Sequence, residues 1–205
     1  ELTERIPTTA NPTYIEHILW GLAEIDDPEV GLLERAVDRA HTRSPSQYGQ
    51  AIVRLFERHP RLATRKAMLD LLLWYAEHGE VGGQRSSMSG PAKEEVVTID
   101  DLLNKGMGLH VRGINGCRGA ALEAIGQVLW QLPEIAVRAW ALLDDRIEKE
   151  SLIGVRCCMA DPLTPLFNHD RERCAALFER LPRDTSHDES GEAETDSDDA
   201  VAPWV

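Results

Sequence analysis

Cys117-Arg118-Gly119-Ala120-Ala121-Leu122-Glu123-Ala124-Ile125-Gly126-Gln127-Val128-Leu129-Trp130-Gln131-Leu132 is the stretch that decides the fold. Ala120, Ala121, Ala124, Ile125, Val128 and Leu129 recur at three-to-four spacing, which places them on one face of a helix. Leu132-Pro133 then turns the chain, because proline cannot continue a helix and disfavours the α region for the residue before it. Pro133 to Glu148 reads as the partner helix, with Ile135, Ala136, Ala139, Trp140 and Leu143 inward. A further pair covers Leu152 to Phe167 and Arg171 to Leu181, with Asp170 as N-cap and with Pro162 and Pro165 expected to kink its first member.

The same grammar runs toward the amino terminus. Asn11-Pro12 opens a first helix carrying Ile15, Ile18, Leu19, Leu22 and Ile25 on one face. Asp27-Pro28 restarts the chain into a second helix with Val30, Leu33, Ala36, Val37 and Ala40, which Ser44-Pro45 ends. A third buries Ile52, Val53, Leu55 and Phe56 before His59-Pro60, and a fourth runs from Leu62 to Glu77 with Ala67, Met68, Leu71, Leu72, Trp74 and Tyr75 as its stripe. Residues 79–97 read as a flexible surface loop, rich in Gly and Ser as far as Ala92. Thr98 to Asp101 offers a capping start for a short helix, and Gly106, Gly108, Gly113, Gly116 and Gly119 punctuate a connector. No stretch alternates long enough for a strand. The class is all-α.

Gly116-Cys117-Arg118 and Gly154-Val155-Arg156 lie 38 positions apart, and the same offset pairs Ala120 with Cys158, Ile125 with Leu163 and Val128 with Leu166. Ala63-Thr64-Arg65 is a fainter echo. The run from Cys117 to Gly126, following a short polar turn, resembles the second-helix signature of HEAT repeats, whose period is about 40–47 residues. That resemblance implies a HEAT/armadillo-like α-solenoid of antiparallel helix pairs. It also implies an arginine ladder along adjacent repeats, with Gly116, Arg118, Gly154 and Arg156 at the matching positions.

Leu109 to Ala120, Ser151 to Cys158 and Pro162 to Asn168 are further similar to the helical region that follows the nucleotide-binding domain in large bacterial STAND or NACHT-like NTPases. Some of these are linked to anti-phage defence. The likeness implies a scaffold or sensor segment that contacts other proteins, or other domains of its parent chain. A free-standing HEAT-like adaptor is the alternative. Glu1 at the start and Val205 at the end suggest a piece of a longer polypeptide, with 200–205 opening its next helix. The repeat domain is then 1–183.

Charge narrows the partners. The net charge is −13, and 184–199 holds eight acids with no Lys or Arg, leaving 27 acids against 22 bases elsewhere. This argues against nucleic acid, whose affinity rests on basic residues neutralising phosphates. It marks the acidic run as a solvated loop. No apolar run is long enough to span a membrane, and four cysteines without C-x-x-C spacing fit reduced thiols in a cytoplasmic protein.

No catalytic, cofactor or metal residue stands out. Gly113 to Gly119 lacks the Lys-Ser/Thr of a phosphate loop and reads as a turn that lets helices approach closely. Cys157, Cys158, His169 and Cys174 lack the spacing of a tetrahedral site and read as structural thiols. His17, His41, His59, His78 and His110 are scattered at helix ends, so no base for a nucleophile is evident. Trp20, Trp74, Trp130 and Trp140 read as core, and Trp204 as part of the following helix.

Overall fold

A computed structural model describes residues 12–80 and 109–181. Within them the chain is all-α, with no strand. Its helices are α1 (Pro12–Ala23), α2 (Val30–Arg43), α3 (Pro45–Arg58), α4 (Lys66–His78), α5 (Leu109–Ile114), α6 (Cys117–Gln131), α7 (Ala136–Lys149), α8 (Ile153–Cys158), α9 (Ala160–Leu166) and α10 (Arg171–Arg180). The N-cap expected at Asn11, the loop beyond Glu80, the short helix at 98–103 and the acidic run with Trp204 lie outside the described residues.

Alternate helices touch. One row runs α1, α3, α6 and α9, and a second runs α2, α4, α7 and α10, with the 3-10 turn Pro60–Thr64 mediating between α2 and α4. Two of the turns that cross between rows are built alike. His59 (φ −127°, ψ 68°) and Leu132 (φ −129°, ψ 70°) each precede a proline that opens a 3-10 turn. Each donates its N–H 2.8 Å back to the preceding helix, to Leu55 O and Val128 O. Ala51-Ile52, Leu55-Phe56, Pro60, Leu62-Ala63 and Arg65 therefore correspond to Ala124-Ile125, Val128-Leu129, Pro133, Ile135-Ala136 and Arg138, at an offset of 73. Ala63-Thr64-Arg65 thus belongs to the entry of a second-row helix. It is not the counterpart of Gly116-Cys117-Arg118 at the start of a first-row helix.

The core lies between the rows, with Leu19, Tyr48, Ile52, Phe56, Leu72, Tyr75, Leu122, Ile125 and Leu143 sealed from solvent. Four expectations change here. Trp140 is buried and Trp74 half-buried, but Trp20 and Trp130 face outward at 39% and 56% exposure. Ile25 lies past the end of α1 and is exposed, as is Ala67. The helix expected over Leu152–Phe167 is two helices broken at Met159, with Pro162 in the first turn of α9, where its missing N–H matters least, and Pro165 inside it. The glycine connector holds a helix of its own, α5.

Candidate functional site

Ion pairs run along the second row, on arginines other than Arg118 and Arg156. Arg65, just before α4, pairs with Glu34 of α2 at 3.2 Å. Arg138 in the first turn of α7 pairs with Asp70 of α4 at 2.6 Å, and Arg173 in the first turn of α10 pairs with Asp144 of α7. Each second-row helix therefore reaches back to an acid on the helix before it. Arg173 also lies 4.5 Å over the Trp140 ring, an arrangement that adds cation–π attraction. The missed signal was the 73-residue offset, which pairs Arg65 with Arg138.

Arg118 and Arg156 instead converge on the end of α7. Glu150 is 1% exposed, and its carboxylate accepts from Arg118 Nη1 at 2.8 Å, from Arg146 and from the Leu152 N–H at 3.1 Å. Arg156, 3% exposed, donates to the backbone carbonyls of Glu150 (3.0 Å), Ile147 (3.3 Å), Leu181 (2.8 Å) and Arg180. It satisfies carbonyls that two helix ends leave without an intrahelical donor. Gly116 and Gly154 differ in geometry. Gly116 is the extended N-cap of α6, whereas Gly154 lies inside α8.

Glycine lets these helices approach. A Cβ on Gly113 would collide with the Gly154 carbonyl and with Cys158 Sγ, so α5 and α8 pack backbone to backbone. A Cβ on Gly126 would stand 3.0 Å from Asp161 O on α9. Gly79 is also packed, and Glu80 O accepts the Cys117 N–H at 2.7 Å, so the first two residues of the expected loop cap α6.

The second row leaves an open groove between α4 and α7, lined by Leu73, Trp74 and Glu77 on one side and by Val137, Arg138 and Ala141 on the other. Val137 is 78% exposed. Trp74 is held in place by aromatic neighbours: the His78 ring stacks on it at 5.3 Å, and His41 meets it edge-on at 5.2 Å. His41 Nδ1 lies 2.9 Å from the Tyr75 hydroxyl. Burial lowers the His41 pKa, opposed by the charge of Asp38, and raises that of the Tyr75 phenol.

Cys158 and Cys174, both buried and free, do not share a site. Cys174 donates to Leu163 O at 3.4 Å and His169 is exposed. Cys158 meets His110 of α5 and Asp161 of α9, their ligand atoms all within 4.8 Å of one another. His110 Nε2 and Asp161 Oδ2 are 2.9 Å apart, and the Cys158 thiol donates weakly to His110 O at 3.8 Å. Burial first, then the charge of Asp161, pushes the Cys158 thiol up to about 12, so it is no ready nucleophile. Burial and the charges of Glu57 and Asp161 raise the carboxyl of neighbouring Glu123. Sequence spacing could not find this trio, because its members come from three helices.

Comparison of the chain with protein-family models, with curated proteins and with solved structures finds no match.

Proposed function

We propose that this chain is a HEAT-like helical-repeat scaffold that contacts protein through the α4/α7 groove, and that it performs no catalysis itself. The observation that carries the reading is the two-row order of alternate helices, which leaves the second row with a groove bearing Trp74 and the exposed Val137. The matching Pro60 and Pro133 turns and the Arg65–Arg138–Arg173 ladder support a stack of antiparallel helix pairs. In such stacks each repeat contacts its neighbours and an extended surface stays free. A large aromatic in a groove is the usual anchor of a protein contact. Asp70 is paired with Arg138, and Glu77, 3.7 Å from His78 Nδ1, adds a second carboxylate to the groove, which favours a basic residue on an apolar segment. That segment belongs to another protein or to another domain of a longer parent chain. A bacterial NTPase parent rests on the resemblance of Leu109–Ala120, Ser151–Cys158 and Pro162–Asn168 alone.

Selection of displayed helical peptides against the chain tests the contact surface. Binders should weaken at least about tenfold on Trp74→Ala and on Val137→Glu, equivalent to about 1.4 kcal/mol. Binders that ignore both substitutions would overturn the groove assignment. Addition of ATP should leave the melting temperature unchanged, since a ligand of the folded state alone would raise it.

A further inference from the structure

We propose that His110, Cys158 and Asp161 form a binding site for a zinc-class divalent cation. Three donors of different chemistry converge from α5, α8 and α9, although 48 and 51 positions separate Cys158 and Asp161 from His110. Imidazole, thiolate and carboxylate are the ligands of zinc sites, and a thiolate disfavours magnesium and calcium. A tetrahedral zinc lies roughly 2.0–2.3 Å from such ligands, which spaces the donor atoms about 3.3–3.7 Å apart. With all three pairs already within 4.8 Å, rotation of side chains by about 1 Å closes the set.

The geometry around the trio suits a bound cation. Cys158 is sealed at the floor, beneath the glycine contact of α5 with α8, so the backbone holds its sulfur in place. His110 and Asp161 stand at the mouth, with 43% and 32% of their side chains exposed, which gives the ion an entry path. Among the described side chains, carboxylates gather around the trio. Glu123 of α6 and Glu57 of α3 join Asp161, while Arg54 is engaged by Glu57. Three protein ligands leave the fourth position to water, the pattern of an open zinc site. Binding exchanges the Cys158 thiol proton for the metal, releasing one proton to solvent as the thiolate–metal bond forms.

Cobalt(II) titrated into the untagged 205-residue chain provides the test, because a thiolate–cobalt bond adds a charge-transfer band that oxygen ligands do not. The expected result is saturation at one equivalent with that band, and its loss when zinc(II) is added. His110→Ala, at the exposed mouth, should weaken cobalt binding more than about tenfold, since loss of second-shell partners alone costs about 10–100-fold. Circular dichroism verifies that the variant keeps its helices. Cys158→Ser should abolish the band; should it fail to fold, His110→Ala and Asp161→Asn carry the test. Cobalt bound without a charge-transfer band in the folded chain would overturn the proposal, as would unchanged affinity in His110→Ala. Either outcome leaves the α4/α7 groove untouched, so the two proposals fail separately.

Discussion

The two rows of helices are held together by different physics. Between α3, α6 and α9 the contacts are apolar and close: Ile52, Phe56, Ile125 and Leu129 are sealed, and Gly126 lets the α9 backbone come near. Between α2, α4, α7 and α10 the links include the ring contacts of His41 with Trp74 and Tyr75 and the ion pairs of Arg65, Arg138 and Arg173, whose side chains are 63%, 39% and 43% exposed. Burial scales with apolar area removed from water and is worth kilocalories per side chain. Exposed ion pairs are worth about 0–1 kcal/mol. The apolar contacts of the first row therefore weigh more in stability than the exposed ion pairs of the second, which act mainly on register.

Where the rows meet, at Glu150, the largest effect is expected. Glu150→Ala leaves the buried ends of Arg118 and Arg146 without their carboxylate and should cost about 3–5 kcal/mol in urea unfolding. A cost under about 1 kcal/mol would mean that the knot relaxes into solvent. Ile125→Ala, within the first row, should cost about 2–5 kcal/mol by loss of buried area and the cavity left behind. Equal costs for Ile125→Ala and a second-row ladder variant would erase the contrast between rows.

Gly113→Ala forces α5 away from α8 and should cost about 1–3 kcal/mol, in spite of alanine's better helix propensity. A neutral result in thermal melting would show that α5 is not pinned to the stack. Titration gives a smaller, pH-gated effect. The folded-state pKa of His41 lies below its ordinary 6.5, so the unfolded chain takes up its proton first. Stability contributed here is complete above 6.5 and declines as pH falls through the lowered value. Melting followed from about pH 7.5 to pH 5 should therefore fall less steeply in His41→Gln than in the parent chain. Smallest of all, Arg138→Ala should change stability by less than about 1 kcal/mol, and its effect should shrink further in high salt.

Much of this molecule is local, and what is local can be read from the chain. The three-to-four spacing of Ile52, Leu55 and Phe56 or of Ala121, Ala124, Ile125 and Val128 marks the buried face because a helix repeats every 3.6 residues. Asp27-Pro28, Ser44-Pro45, His59-Pro60 and Leu132-Pro133 mark the turns because proline lacks the N–H a helix interior requires. Asp170 accepts the Arg173 N–H at 3.0 Å, as its place before a helix foretold. Glycines between 113 and 119 mark a close approach, though not which backbone approaches.

What only the tertiary structure decided is the pairing across helices. Trp20 and Trp130 sit on apolar-looking faces yet point outward, because a stripe says which side is apolar and not how much of it a neighbour covers. Arg65, Arg138 and Arg173 form the ladder, and Arg118 and Arg156 do not, since each partner is set by the offset between stacked helices. Cys158 meets His110 and Asp161, and not the nearer His169 in sequence, because the Gly113–Gly154 approach and the break at Met159 aim α8 and α9 toward α5. Periodicity is a property of one segment. Register between segments comes from packing many of them at once, and the ionic and metal-ligating chemistry of this chain lives in that register.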